Sequence, residues 1–159
     1  MKHISSRDNP LYKRVLRLAG GKRDPGADAD APRVVLEGAH LCQAWLRYAG
    51  APELALFDVE KLETQAELKD LAHALDSSIC LSCDSRLAKG LSQVEHGQGV
   101  YFVVPVPTAQ LPAKIDRNCL WLDRIQDPGN VGTLLRTAAA AGISQAYLSV
   151  GCAAAWSAK

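Results

Sequence analysis

Side chains that could do chemistry are concentrated in one run, Asp-Arg-Ile-Gln-Asp-Pro-Gly-Asn-Val-Gly-Thr-Leu-Leu-Arg, at residues 123–136. The apolar stretch 119–122 predicts a strand, and a polar loop follows it. A helix is predicted from Asn130 to Ala141, with Asn130 as its cap and Gly132 leaving room for close approach at its first turn. Because the N–H groups of a helix start are unpaired, this junction favours an anion or a polar oxygen.

Arg136 is the only charged residue of that helix, which otherwise consists of apolar and small residues. Six positions separate it from Asn130, or roughly 9 Å along an ideal helix axis. Long side chains on a helix lean toward its N-terminus, so the guanidinium could hold a phosphate or sugar oxygen by charge-assisted hydrogen bonds. The alternative is structural: Asn130 only caps, and Arg136 only pairs with Asp123 or Asp127.

Other kinds of site receive little support from the sequence. There is neither a Gly-x-Gly-x-x-Gly run nor a phosphate loop with Gly-Lys-Ser/Thr, which counts against the nucleotide sites built on those motifs. Cys80 and Cys83 form a single CxxC without a second ligand pair, so we predict no metal and assign both thiols to the core. A thiol or metal protein based on this pair is the weakest alternative.

The elements that would position these residues alternate between strand and helix. Short apolar runs predict strands at 33–36, 54–57, 79–81 and 99–104, and helical periodicity covers 39–48, 61–75 and 85–89. An earlier helix begins at Asn9-Pro10 and stops at Gly20-Gly21. This alternation predicts an α/β fold with a largely parallel sheet that is covered on both faces.

Two stretches rich in Pro, Gly or small polar residues, 22–32 and 105–112, predict linkers. We therefore divide the chain into four parts. They are a basic N-terminal helix and linker (1–30), an α/β domain (31–107), a linker (108–117) and the first βαβ part of a second domain (118–159).

Charge is unevenly distributed along the chain. Residues 1–23 hold seven basic side chains and one acidic, although the whole chain has a net charge of only +1. Clustered Lys and Arg suit a polyanion such as a nucleic acid, whereas the simpler alternative is a solvated terminus.

Composition excludes several classes of protein. With 48% hydrophobic and 22% charged residues the chain is too apolar for disorder, and no apolar run is long enough to cross a membrane. No secretory leader is visible at the N-terminus, so a cytoplasmic protein is expected.

The run Asp123 to Ala138, with its Asp-Pro-Gly-Asn-Val-Gly and Leu-Arg-Thr-Ala elements, resembles motif 1 of the SpoU (TrmH-like) RNA 2′-O-ribose methyltransferases of the SPOUT superfamily. Upstream segments resemble the substrate-binding domain common in that family, which is similar to an RNA-binding ribosomal-protein fold. These segments are Ile4-Ser5-Ser6, Asn9-Pro10, Lys13, Leu36-Glu37-Gly38, Leu91-Ser92 and Gly97-Gln98-Gly99-Val100.

The resemblance implies transfer of a methyl group from S-adenosylmethionine to a ribose 2′-hydroxyl of rRNA or tRNA, with no DNA and no metal involved. It maps the catalytic arginine and asparagine onto Arg136 and Asn130. Arginine is a poor base, so Arg136 is expected to orient the hydroxyl or a phosphate and to stabilise negative charge. The residues expected to bind RNA are Arg7, Lys13, Arg14, Arg17, Lys22, Arg23, Glu37, Arg86 and Lys89.

Family members carry two later motifs that form the knot, bind the cofactor and make most of the dimer interface. Neither motif is found up to Lys159, so the cofactor site and the knot are expected outside this chain, which by itself would be inactive. A full-length family member would be a homodimer. The alternative from another class is a non-catalytic RNA-binding module.

Overall fold

In the computed structural model, residues 1–24, 32–92, 94, 97–107 and 112–156 are described. They belong to two compact units, the first formed by Met1–Pro107 and the second containing the described residues that follow. The predicted linkers at 22–32 and 105–112 lie partly outside the described residues.

The first unit contains five strands and five helices among its described residues. The strands are β1 (Lys2–Ile4), β2 (Arg33–Glu37), β3 (Leu54–Asp58), β4 (Cys80–Cys83) and β5 (Val100–Pro105). The helices are α1 (Pro10–Ala19), α2 (Ala39–Tyr48), α3 (Val59–Thr64), α4 (Ala66–His73) and α5 (Ser85–Leu91).

The five strands form one sheet in the order β1-β4-β3-β5-β2. β1, β4 and β3 are parallel, but β5 runs antiparallel to both β3 and β2. The prediction of a largely parallel sheet was therefore wrong for the β5 side. Apolar runs indicate that a strand is buried on both faces, yet they carry no information about its direction.

The sheet is covered on both faces, as predicted, because successive side chains of its central strands enter two separate cores. In β5, Tyr101 and Val103 join one cluster, which includes Val15 of α1. Phe102 and Val104 join the other cluster, on the face of α2 and α4. This strict alternation follows from the two-residue period of a strand.

Two helix predictions have different outcomes. The start of α1 is confirmed, since the Asn9 side chain accepts hydrogen bonds from the N–H groups of Leu11 at 2.9 Å and Tyr12 at 3.4 Å. The single helix predicted over 61–75 was wrong: it is two helices, separated at Gln65, whose backbone is extended (φ −105°, ψ 116°). The sequence analysis also missed β1, a three-residue strand paired with β4.

The second unit contains a parallel pair of strands, β6 (Cys119–Leu122) and β7 (Gln145–Leu148), joined by α6 (Pro128–Ala140). This is the βαβ connection expected from the sequence. Leu122 of β6 and Val131 and Ala138 of α6 are its buried side chains. No described helix in either unit is long and apolar enough to cross a membrane.

Candidate functional site

The loop between β6 and α6 is closed by Asp127. Its carboxylate accepts a hydrogen bond from the Asn130 N–H at 2.7 Å, and Pro128 occupies the first helical position. Asp127 is therefore the N-cap, and the prediction that Asn130 caps the helix was wrong. The sequence offers two capping residues three positions apart, and the fixed φ of Pro128 selects the earlier one.

Asn130 consequently lies within the first turn of α6, where its residue is exposed. Its N–H is already satisfied by Asp127, while its carboxamide is on the solvent side of the turn. Asn130 can therefore offer both a donor and an acceptor to a polar ligand at this end of the helix.

Arg136 lies two turns further along α6, and its side chain folds back toward the helix start. Its Nη2 donates a hydrogen bond to the Thr133 hydroxyl at 3.2 Å. A Cβ at Gly132 would lie 3.4 Å from Nη1, so the absence of a side chain at Gly132 leaves room for the guanidinium. Within the described part of the chain Arg136 forms no ion pair, so the predicted alternative of pairing with Asp123 or Asp127 is not observed.

A second loop, after β7, is tied to the loop after β6. The Ser149 hydroxyl donates to Asp123 at 2.6 Å and accepts from the Arg124 N–H at 3.1 Å. Arg124 itself has a positive φ of 51°. The Cys152 thiol donates to the Leu122 carbonyl at 3.3 Å and accepts from the Ile125 N–H at 3.4 Å. These contacts fix the loop that leads into α6.

Sequence reasoning missed three residues of this arrangement, namely Thr133, Ser149 and Cys152. Of these, Thr133 was accessible from the sequence, because residues three apart on a helix are neighbours. The contacts of Ser149 and Cys152 span more than 20 residues of sequence, and no local pattern indicates them.

In the first unit the Glu37-Gly38 and Gly97-Gln98-Gly99 segments meet. The Gln98 carboxamide oxygen accepts a hydrogen bond from the Ala39 N–H at 2.7 Å, so Gln98 caps α2 from a distant segment. The Ser92 hydroxyl donates to Glu37 at 2.5 Å. Glu37 is thus held beside the loop that carries Gln98.

A cleft of about 570 Å³ opens next to this contact. Asp58 and Lys61 line one wall, where Asp58 is 2% exposed and accepts from the Ser85 hydroxyl at 2.5 Å. The Lys61 ammonium donates to the Gly97 carbonyl. The remaining lining residues are Gln65, Ala88, Lys89, Ser92, Val94, Gly97, Gln98, Gly99 and Tyr101.

The predicted RNA-binding cations differ in their surroundings. Arg7, Arg17, Lys22, Arg23, Arg86 and Lys89 are exposed. Lys13 is also exposed and forms an ion pair with Asp8 at 2.7 Å, which lowers the pKa of that carboxyl. Arg14 is half-buried and pairs with Asp24 at 2.7 Å and Glu53 at 3.1 Å. Burial alone would lower the pKa of Arg14, but hydrogen bonds from its guanidinium to these carboxylates raise it.

Burial disfavours the thiolate form of Cys42, Cys80 and Cys83. Burial raises the pKa of Cys42 and of Cys83 to about 12, and it also raises the pKa of Cys80. These thiols therefore stay protonated near neutral pH. Among the described residues no group of three or more His, Cys, Asp or Glu side chains is arranged to hold a metal ion.

No protein-family model matches the chain, but individual proteins are similar to it over most of its length. An uncharacterized tRNA/rRNA methyltransferase of Synechocystis is 32% identical over 151 residues, covering 94% of this chain and 53% of the relative. The Bacillus subtilis 23S rRNA (guanosine(2553)-2′-O)-methyltransferase RlmP is 28% identical over 160 residues, covering 100% of this chain and 59% of the relative.

Solved structures agree with these relatives. An RNA 2′-O ribose methyltransferase superposes with a TM-score of 0.70 at 25% identity, covering 95% of this chain and 57% of the other. The SpoU methyltransferase AviRb of Streptomyces viridochromogenes, solved in complex with AdoMet, has a TM-score of 0.73. It is 21% identical, with 95% and 57% of the two chains covered, and so shows the fold.

The chain is therefore similar to tRNA/rRNA methyltransferases over nearly its whole length, and it shares the fold of a SpoU methyltransferase. The resemblance to RNA methyltransferases is thereby confirmed for the chain as a whole, whereas the match of residues 123–138 to motif 1 stays a prediction. The chain spans between half and three-fifths of the length of the two relatives above.

Proposed function

We propose that the protein transfers a methyl group from S-adenosylmethionine to a ribose 2′-hydroxyl of rRNA or tRNA, and that this chain supplies the RNA-binding unit and motif 1. The observation that carries the proposal is the Arg136 guanidinium, which is folded back over the first turns of α6 without a carboxylate partner among the described residues. The names of the relatives, rRNA and tRNA methyltransferases, support the same reaction.

Arg136 would act by orientation and charge. Arginine is a poor base, so Arg136 does not take the proton from the ribose hydroxyl. It would instead hold the 2′-oxygen or the adjacent phosphate and stabilise the negative charge that develops on the attacking oxygen. Asn130, exposed in the first turn, would make a polar contact to the same nucleotide.

The cofactor supplies an activated methyl group when it is bound. Asp123 and Ser149, which follow the ends of β6 and β7, are hydrogen-bonded to each other and so are less available to a cofactor. We therefore propose that most cofactor contacts come from residues outside those described here, together with the knot of the SpoU fold.

RNA would be held by phosphate contacts from the exposed cations of the first unit. Arg7, Lys13, Arg17, Lys22 and Arg23 lie on or beside α1. Arg86 and Lys89 lie on α5, and Glu37 would orient a base or the backbone at the end of β2. Arg14 remains in the proposed set, although Asp24 and Glu53 compete with a phosphate for its guanidinium.

The salt dependence of RNA binding tests this part of the proposal. We expect the affinity of the chain for a fluorescein-labelled rRNA hairpin, measured by anisotropy, to fall with a log–log slope of several units as salt rises. The double substitution Arg7→Glu, Arg17→Glu should reduce both affinity and slope. Binding that is independent of salt and of these residues would contradict it.

A homodimer in the cytoplasm completes the proposal for the whole protein. Trp121 is 63% exposed and stacks near Tyr147, with 5.7 Å between the ring centroids. The exposed Trp121, beside the partly buried Tyr147, supports coverage of this sheet face by further chain or by a second subunit.

The second candidate is a non-catalytic RNA-binding module. It is favoured by the contrast between a first unit with two hydrophobic cores and a described second unit in which the buried side chains are Leu122, Val131 and Ala138. Calorimetric titration of S-adenosylmethionine into the complete gene product distinguishes the two candidates. Heat of binding at one site per subunit favours the enzyme, whereas RNA binding without any cofactor heat favours the module.

A further inference from the structure

The cleft of about 570 Å³ in the first unit has walls that are built from three separated parts of the sequence. Asp58 lies at the end of β3, Lys61 on α3, and Gln65 directly after α3. Lys89 lies on α5, and the segment of Gln98 and Gly99 precedes β5. Its volume lies within the range of small-ligand sites, roughly 300–1,000 Å³.

Two glycines of the cleft wall lie too close to neighbouring atoms to accept a side chain. A Cβ at Gly97 would lie 2.4 Å from the Ser92 hydroxyl oxygen and 2.7 Å from Glu37 Oε1. A Cβ at Gly99, where φ is +78°, would lie 2.7 Å from Lys61 Cδ and 2.8 Å from Asp58 Cβ. The two glycines therefore let the backbone of this loop pack directly against the cleft wall.

Hydrogen bonds hold the polar groups of the cleft wall in fixed positions. The Gln98 oxygen is used by the Ala39 N–H, which leaves the carboxamide nitrogen of Gln98 as a donor. Asp58 is anchored through Oδ1 by the Ser85 hydroxyl and by the N–H groups of Glu60 and Lys61. Because these groups are already ordered, a ligand that binds them loses less conformational entropy than one that binds mobile groups.

The chemistry of the lining is mixed. Two ammonium groups, from Lys61 and Lys89, are combined with the carboxamides of Gln65 and Gln98 and with an apolar wall that includes Val94. A simple anion needs only the cations. A nucleotide needs all three kinds of group, because its phosphate takes cations, its base edge takes donors and acceptors, and its base face takes apolar surface.

We propose that this cleft takes one unstacked nucleotide of the RNA substrate, with its phosphate at Lys89 and its base edge at the carboxamides. The proposal rests on the proposed RNA-binding function and adds to it a place where sequence is read. Phosphate contacts along α1 carry no sequence information, so base discrimination by this unit would come from the cleft.

Amide NMR of the 159-residue chain tests the proposal with ribonucleoside 5′-monophosphates as probes. We expect AMP, GMP, CMP and UMP, titrated separately, to shift the amides of Ser92, Val94, Gln98, Gly99 and Val100, and one base to bind more tightly than the others. Lys89→Glu should weaken this binding by about tenfold, the loss of one charge-assisted contact. Lys69→Glu is the matched control, since Lys69 is an exposed cation of α4 that does not line the cleft, and it should change the binding less than about twofold.

Inorganic phosphate, titrated in parallel, separates a nucleotide site from an anion site. If phosphate alone shifts the same amides with equal affinity, or if nucleotides shift only amides of α1, the proposal is overturned. RNA hairpin binding, measured by anisotropy on the same samples, distinguishes failure of the nucleotide-cleft proposal from failure of the proposed RNA-binding function. Tight RNA binding without cleft shifts contradicts the nucleotide site alone, whereas absence of RNA binding contradicts the proposed function itself.

Discussion

The Arg136 guanidinium donates a hydrogen bond to the Thr133 hydroxyl at 3.2 Å, and that hydroxyl donates in turn to the Gly129 carbonyl at 2.9 Å. Thr133 thus links the arginine to the first turn of α6. Because its proton is committed to Gly129, its oxygen is turned toward the guanidinium as an acceptor. Thr133 is accordingly a positioning residue for Arg136.

Thr133→Val should reduce methyl transfer by the complete gene product about tenfold or more, because it removes a hydrogen bond to a charged group while keeping the side-chain volume. The loss should appear in kcat with KM for RNA nearly unchanged, measured by single-turnover and steady-state methylation. Thr133→Ser keeps both hydrogen bonds and should retain activity.

Thr137→Val is the matched control for that experiment. The Thr137 hydroxyl donates to the Thr133 carbonyl at 2.9 Å on the same exposed helix and has no hydrogen bond with Arg136. Its substitution should leave kcat within about twofold. Equal losses for the two valine variants would mean that Thr133 acts only on helix stability.

Gln98→Ala should destabilise the first unit by about 0.5–2 kcal/mol, the range for loss of a helix N-cap. The Ala39 N–H loses its acceptor, and Gly38 offers no side chain to replace it. Urea unfolding gives the magnitude, and hydrogen exchange should show faster exchange at Ala39. Gln65→Ala is the control, because Gln65 also stands before a helix but makes no side-chain capping bond. Similar losses in both variants would contradict the capping role.

Gly99→Ala should destabilise the protein more than Gly21→Ala, although both glycines have a positive φ, +78° and +72°. A Cβ at Gly21 meets nothing within 4 Å, whereas a Cβ at Gly99 would overlap Lys61 and Asp58. Gly21→Ala should therefore cost only the backbone strain, about 1–2 kcal/mol. Thermal or urea unfolding of the two variants checks this order, and an equal effect would argue against a packed wall at Gly99.

Cys42, Cys80 and Cys83 should resist iodoacetamide at pH 8 in the folded protein and react promptly in urea, as followed by mass spectrometry. Burial raises the pKa of Cys42 and Cys83 from 9.0 to about 12, so little thiolate is present in the folded state. Cys119 and Cys152 are less buried and should react first.

The same thiols make folding sensitive to alkaline pH. A folded-state pKa above the unfolded value contributes stability that is fully present below pH 9 and is lost as the pH rises toward 12. The free energy of unfolding should fall across that interval, as measured by urea unfolding at successive pH values. A flat profile would show that these thiols titrate alike in both states.

Much of the fold could be predicted from local patterns. The Asn9-Pro10 pair set the start of α1, and the apolar runs of β3 and β5 predicted strands between two cores. Direction could not be predicted, since the antiparallel placement of β5 depends on pairing with β2 and β3. No Gly or Pro marks the break at Gln65, and its one signal is the six-position interval from Leu62 to Leu68, which does not keep both leucines on one helix face.

The candidate site was predicted less completely. The backward lean of Arg136 follows from side-chain directions on a helix, and the structure shows it. The cap was misassigned because Asp127 and Asn130 both suit that position, and the geometry at Pro128 decides between them. The contact of Ser149 with Asp123 and the capping of α2 by Gln98 join distant segments, which local patterns do not reveal.

Single-turnover methylation of an rRNA or tRNA transcript by the complete gene product, with Arg136→Ala beside the unsubstituted protein, tests the central claim most directly. Mass spectrometry of the digested RNA should show a 2′-O-methylated nucleoside, and Arg136→Ala should lower its rate of formation by about 100-fold or more, while RNA affinity changes little. Undiminished methyl transfer by the Arg136→Ala protein, or a product methylated on a base, would contradict the account.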